Sequence, residues 1–389
     1  MERRKEEGSK GSKVKERLVI HAGLHKTATT SIQKFLLDSK EALSACDYAL
    51  FSYEPAGELS EYGHANHWVR HYGQGPSFDA EVNISWLKYL SRIEENNVIF
   101  SSEHLSWINS YDNIEFFRRA LEPFFRSVTV VFYLRRQDEQ LMSHHQQGSK
   151  HYRWCEQLYY GTRPAAYPEH TEFDEYLDYE AKIDKWAEAF GEENVIVRVF
   201  DRELLHNNDV ISDFCQTIGL NVEVTPIFVN ESRGKYETVV GHIYNEMKIS
   251  HLDPLRIAIL KGLQSDEKLL PTRDEAKRVY EQYRERNRNL NQRFRISERS
   301  EDLFAEDFDK YPTEADPLLY LDVLRAVLAQ IHTMTWMNSG DVDALRDAAN
   351  ALQNTHPELA RRLIVIAKGL RPTGPKINEL FRKLNTIES

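Results

Sequence analysis

The chain has 389 residues, 41% apolar and 29% charged, which is the balance of a folded globular protein with one large domain and an appendage, or two to three smaller domains. Its formal net charge of −11 gives the whole molecule no bias toward nucleic acid or an anionic membrane, so a bound anion must be met by a local cluster of basic groups and backbone N–H groups. Cys46, Cys155 and Cys215 are far apart and form no CxxC pair, which fits free thiols in a reducing compartment better than a disulfide framework.

Residues 1–16 are charged and rich in glycine, serine and lysine, as in a disordered tail. They hold no apolar stretch of the signal-peptide kind, and no apolar run in the chain is long enough to span a membrane, so a cytoplasmic protein is expected. Residues 18–24 are a short β-branched run ending near a glycine and predict a buried strand; 27–39 predict a helix. The alternation continues with a strand at 48–53, a helix at 82–94, a strand at 98–102 and a helix at 113–125. Residues 128–134 carry the strongest strand signal in the chain. A helix at 137–150 follows, then one at 173–190 closed by Gly191, a strand at 195–200, and a helix at 203–218 closed by Gly219. Strands alternating with helices of this length indicate a parallel sheet covered on both faces, with ligands at the carboxyl ends of its strands. Beyond residue 235 the strand signal fades, and 273–294, 317–337 and 341–389 read as helical. Residues 357–375 resemble half of a tetratricopeptide-type repeat, although a plain helical cap on the core accounts for the pattern more simply.

The carboxyl end of the first strand carries His25-Lys-Thr-Ala-Thr-Thr-Ser31. A small-residue loop opening a helix aims successive N–H groups at one spot at the positive end of the helix dipole; Lys26 adds a charge, and Thr27, Thr29, Thr30 and Ser31 add hydroxyls. Such a site suits a phosphate-like anion. No glycine immediately precedes Lys26, so this is not a Walker A loop, and no acidic residue stands where a Mg²⁺ ligand of that class is expected. A metal-free donor fits better. The loop resembles the 5′-phosphosulfate loop of sulfotransferases that use 3′-phosphoadenosine 5′-phosphosulfate (PAPS), usually written PKTGTT[ST]. His25 stands in place of proline and Ala28 in place of glycine; alanine admits a close backbone approach provided its φ is negative.

The strand at 128–134 ends in Arg135 and Arg136, and Ser143 follows eight residues after Arg135. This is similar to the 3′-phosphate site of the same family, with Gln137 where proline is usual. The resemblance covers about residues 17–232. It implies an α/β fold, a P-loop-type parallel sheet flanked by helices with a helical C-terminal extension. The sulfotransferase domain would run over 17–315, with its α/β core to about 232, and the extension over 316–389. His25, Lys26, Thr27, Ala28, Thr29, Thr30, Ser31, Arg135 and Ser143 would bind PAPS and, after transfer, its product PAP, with no metal required.

An acceptor hydroxyl needs a base. The strand at 98–102 delivers Glu103 and His104; because successive side chains of an extended segment face opposite ways, only one is expected to face the donor, and Glu103 is favoured. His67 and His71 stand at helical i, i+4 spacing, but Trp68 replaces the glutamate that a zincin needs, so no metal is expected. His64, His67 and Trp68 suit the lining of a sugar pocket. The aromatic run His151-Tyr-Arg-Trp154 with Tyr159 and Tyr160 fits either that role or a structural cluster. The expected partners are a glycan, glycolipid or other hydroxyl-bearing acceptor and no nucleic acid; a homo-oligomer is compatible. Two other readings stay open: a P-loop nucleotide or small-molecule kinase, and an inactive nucleotide-fold interaction protein.

Overall fold

The computed structural model describes residues 14–73, 79–150, 174–224, 233–297, 300–317, 319–335 and 339–385. The chain divides into two compact units, Met1–Asp253 with Ser265–Asp316, and Pro254–Gln264 with Pro317–Ser389.

In the first unit five parallel strands form one sheet: β1 (Lys15–His21), β2 (Tyr48–Leu50), β5 (Asn97–Ser101), β6 (Phe125–Leu134) and β7 (Val195–Val199), in the order β2-β5-β1-β6-β7. Helices α1 (Thr29–Asp38) and α2 (Lys40–Ala45) lead from β1 to β2, and β3 (Val69–Tyr72) pairs antiparallel with β4 (Asp79–Val82) as a separate hairpin. The fold is α/β, a parallel sheet flanked by helices, as expected.

The central strands are apolar at nearly every position because each face has its own core. Leu18, Ile20, Val98, Phe100, Val130 and Phe132 point into one cluster, while Val19, Ile99, Val131 and Tyr133 point into the other. A strand buried on both faces shows a continuous apolar run rather than an alternating one. The second cluster is closed by Ile32, Phe35 and Leu36 of α1 and by Ile211, Phe214 and Ile218 further along.

Several expected helices differ in detail. Residues 82–94 contain the end of β4 and then a 3₁₀ helix over Ile84–Arg92, started by Asn83, whose side chain accepts the Ser85 N–H. Its buried Trp86, Leu87, Tyr89 and Leu90 fit a three-residue turn as well as an α-helical one. Helix α3 (Tyr111–Leu121) is capped by Ser110 and stops before β6 begins at Phe125, because those residues complete the strand. Helix α4 (Gln137–Gly148) is as expected. The next helix is broken at Asp178 into α5 (Asp174–Leu177) and α6 (Tyr179–Phe190), since the Asp178 carboxylate accepts the Ala181 N–H and starts a new helix. Asp209 does the same for α7 (Val210–Ile218). Helices α8 (Lys235–Glu246) and α10 (Arg273–Phe294) complete this unit; the Gln137 and Asn287 amides pair reciprocally at 2.9 and 3.0 Å and join α10 to α4.

The second unit holds α9 (Pro254–Gly262), α11 (Leu319–Thr335), α12 (Ser339–Leu352), α13 (Pro357–Leu370) and α14 (Pro375–Asn385). The region 341–389, expected to be helical, holds three helices among its described residues. Ala349, Ala360 and Ala367 sit among Val342, Ile364, Ile377, Leu380 and Leu384 in a core of their own.

Candidate active site

The sheet order sets the site. Because β1 lies between β5 and β6, the loop after β1 is flanked by the segments that leave the carboxyl ends of those two strands. Glu103 comes from the β5 side and Arg135 from the β6 side.

The loop is tightly wound. Gly23, Lys26 and Ala28 all have positive φ, of 62°, 64° and 59°. A Cβ on Gly23 would lie 3.0 Å from Thr29 Cγ2 and 3.2 Å from Glu103 Cβ, so glycine is what lets the loop touch both α1 and the segment after β5. Ala28 overturns the negative φ expected of it: its carbonyl accepts the N–H groups of Ser31 and Ile32 and starts α1 from a left-handed residue. Thr27 Oγ1 donates to the Leu24 carbonyl at 2.7 Å, which braces the loop. Thr29 and Ser31 are buried and Thr30 is exposed. The first N–H groups of α1 have no intrahelical partner by construction. Lys26 Nζ reaches Gln147 Oε1 at 3.2 Å, a long contact to a neutral group.

The two arginines after β6 divide their tasks. Arg136 is buried, doubly bonded to Asp138 at 2.7 and 3.0 Å, and its guanidinium lies over the Phe308 ring, so it joins the core to the 300–316 segment. Arg135 turns the other way. Its Nη1 donates to the Lys26 carbonyl at 3.3 Å and its Nε to Glu139 at 3.2 Å. Ser143, one helical turn beyond Glu139, is buried in the middle of α4.

Glu103 opens a 3₁₀ turn, Glu103–Trp107, after the extended Ser102. One carboxylate oxygen accepts Gln33 Nε2 at 2.8 Å and the other accepts Asn66 Nδ2 at 3.0 Å. Ser102 Oγ donates to Asn66 Oδ1 at 2.7 Å and orients that amide. Burial raises the Glu103 pKa, but the neighbouring His104 and the two amide donors outweigh it and hold the carboxyl below the usual carboxylate range. The result is a fixed, ionised, partly exposed carboxylate beside the loop.

No protein-family model matches this chain. An uncharacterized protein of Archaeoglobus fulgidus is 31% identical over 204 residues, which is 50% of this chain; the chain spans about half the length (52%) of that relative. A crystal structure of a sulfotransferase from Alicyclobacillus acidocaldarius matches 61% of this chain and 95% of its own, at 14% identity and a TM-score of 0.31. A likeness of that score decides neither fold nor activity. Among the described residues no helix is long and apolar enough to cross a membrane.

Behind the loop lies a group of imidazoles. The His25 ring packs 4.3 Å from Trp107 and stacks at 5.8 Å on His104, which in turn meets His71 at 4.7 Å. His25 Nδ1 is 3.1 Å from Ser106 Oγ and 3.3 Å from Tyr176 OH, and its carbonyl accepts Gln140 Nε2. His25 therefore ties the loop to the Glu103 turn through its side chain. Burial, then the crowding of His104, His144, His71 and Lys26, drives its pKa well below 6.5. Lys182 of α6 is buried beneath the same turn, with its ammonium 2.7 Å from the Ser106 carbonyl; burial pushes its pKa down to about 7.

The three residues expected to line a sugar pocket have different surroundings. Trp68, expected there, is 1% exposed and donates its indole N–H to the Tyr53 carbonyl; it is a core residue, because its ring fills the space beside Phe51. His67 is exposed and faces Glu54 at 3.3 Å. It lies on a 3₁₀ turn, Asn66–Trp68, and His71 on β3, so the two do not share a helix face. His64 is half-buried, stacked on Tyr62. Residues 151–160, with their aromatic run, lie outside the described residues. Gln33 and Asn66, which hold Glu103, were not anticipated. Gln33 is one turn past Thr29, and Asn66 sits inside the histidine run, but only the folded chain brings them to Glu103.

Proposed function

We propose that this chain is a PAPS-dependent O-sulfotransferase acting on a hydroxyl of a glycan or glycolipid. One observation carries the proposal: Lys26, Arg135 and Glu103 follow three adjacent parallel strands, with Arg135 Nη1 3.3 Å from the Lys26 carbonyl. The donor's phosphosulfate would lie against the loop His25–Ser31 at the N-terminus of α1, and its 3′-phosphate against Arg135 and Ser143. The acceptor oxygen forms a bond to sulfur as the bond from sulfur to the 5′-phosphate oxygen breaks, and the hydroxyl proton passes to the Glu103 carboxylate. Lys26 offsets the charge that grows on the departing phosphate. PAP leaves with the electron pair of the broken bond. The half-exposed and buried thiols Cys46 and Cys215 are free, which suits a reducing compartment such as the cytoplasm.

The test is sulfotransfer from PAPS to a mixed glycan and glycolipid extract, followed by mass spectrometry, with and without EDTA. Product formed equally in both supports the proposal. ATP-dependent, EDTA-sensitive phosphorylation of the same extract would replace it with a kinase. In parallel, Arg135→Ala should weaken PAP far more than adenosine 5′-phosphosulfate, which lacks the 3′-phosphate; equal losses would remove Arg135 from that seat.

A further inference from the structure

A carboxylate stands inside the cationic end of this site, and the transfer step does not use it. Glu139 lies one turn after Arg135 and one turn before Ser143, so it occupies the stretch between the two groups assigned to the 3′-phosphate. Its Oε2 is 3.2 Å from Arg135 Nε. Its Oε1 is paired with the ammonium of Lys310. The Arg135 and Glu139 side chains are each 22% exposed, whereas Lys310 is 42% exposed on its outer side. Arg136, the other nearby guanidinium, is doubly bonded to Asp138 and lies 3.9 Å from Glu139 Oε1, a longer contact than that of Arg135.

We propose that Glu139 sets nucleotide specificity: it is shared by Arg135 and Lys310 in the free protein and is left to Lys310 when a 3′-phosphate takes over Arg135. The proposal rests on reading this end of the site as a 3′-phosphate seat. Two anions cannot share one guanidinium in a half-buried site without repulsion, because the charges are poorly screened there. Lys310 offers the carboxylate a second partner on the solvent side, at the end of a flexible stem. A nucleotide with a free 3′-hydroxyl needs no such displacement, since a hydroxyl can donate to the carboxylate where it stands. Glu139 therefore narrows the affinity gap between PAP and adenosine 5′-phosphate, and neutralising it widens that gap.

The experiment is calorimetric titration of the full chain with PAP and with adenosine 5′-phosphate, for the parent, Glu139→Gln, Lys310→Ala and the double variant, with thermal unfolding as the fold control. The expected result is PAP binding about tenfold tighter in Glu139→Gln, the scale of one like-charge contact removed from a half-buried site. Adenosine 5′-phosphate should be unchanged or weaker. Lys310→Ala should weaken PAP in the parent and have little further effect once Glu139 is glutamine. An unchanged or weaker PAP affinity in Glu139→Gln overturns the proposal. So does equal tightening of both nucleotides, which would mean a diffuse charge effect. A Lys310→Ala loss that persists in the double variant makes Lys310 a direct ligand and removes the hand-over. Failure of the parent to bind PAP at all would instead sink the reading of the seat.

Discussion

The two flanks of the loop after β1 are built differently. On the β6 flank, Lys26 and Arg135 make contacts of 3.2–3.3 Å to an amide, a carbonyl and a carboxylate. Contacts of that length are weak and an arriving anion can replace them. On the β5 flank, Glu103 is gripped through both oxygens by two amides, one of which is itself oriented by Ser102. The contacts of the first flank are long and those of the second are shorter. Binding energy and chemical rate should therefore be separable by mutation.

The sharpest way to break that contrast is Glu103→Gln. It should leave PAP affinity within about twofold and lower kcat by about 10²–10⁴-fold, the usual contribution of a positioned base. If the variant stays active and His104→Ala is dead, the base has been misassigned. The pH profile gives a second reading. Since Glu103 is held below the carboxylate range, the acid limb of kcat should fall below about pH 4.5, whereas a limb near about 6.5 would point to an imidazole. Next, Lys26→Ala should cost about 2.7–4 kcal/mol in kcat with saturating PAPS while thermal unfolding is unchanged. Near-normal kcat would mean that the backbone alone stabilises the leaving group.

Stability offers a test of Lys182, which supports the rigid flank. Its pKa is pushed down to about 7 in the folded chain and returns to about 10.5 on unfolding. Between those values the unfolded chain binds more protons, so stability should rise with pH from about 7 to 10. Denaturant midpoints at pH 7 and 9 should show that rise in the parent and a flatter profile in Lys182→Met. The smallest expected effect is at the loop itself. Ala28→Gly relieves a left-handed alanine and should stabilise the fold by about 1 kcal/mol, read by urea unfolding. A destabilised variant would mean that the alanine methyl packs against α1 strongly enough to offset its backbone strain.

The parts of the molecule legible in the sequence were those with local causes. The central strands betrayed themselves as apolar runs, because both faces are covered. The loop stood out because lysine and threonines cluster after one of those runs. What escaped was set by long-range contacts. Asn66 meets Glu103 across 37 positions and Gln33 meets it across 70. Trp68 looked like a sugar platform beside its histidines, but its neighbours in space are Phe51 and Tyr53. The 3₁₀ helix at Ile84–Arg92 and the break at Asp178 turned on single side-chain caps that periodicity alone does not weigh.

The position of β1 in the sheet also governs how the chain can assemble. It precedes both of its neighbours in the chain, yet it lies between them, with Leu18 registered against Val98 on one side and Val128 on the other. Neither partner exists when β1 leaves the ribosome. At roughly 5–20 residues per second, the strand must wait on the order of ten seconds, apolar on both faces and with its hydrogen-bonding edges open, before the sheet can close around it. Closure of loops that long is slow, and an unpaired apolar strand is a template for aggregation. The same event that ends this exposure also brings together the three strand ends that carry Lys26, Glu103 and Arg135, so closing the sheet and assembling the candidate site are coupled.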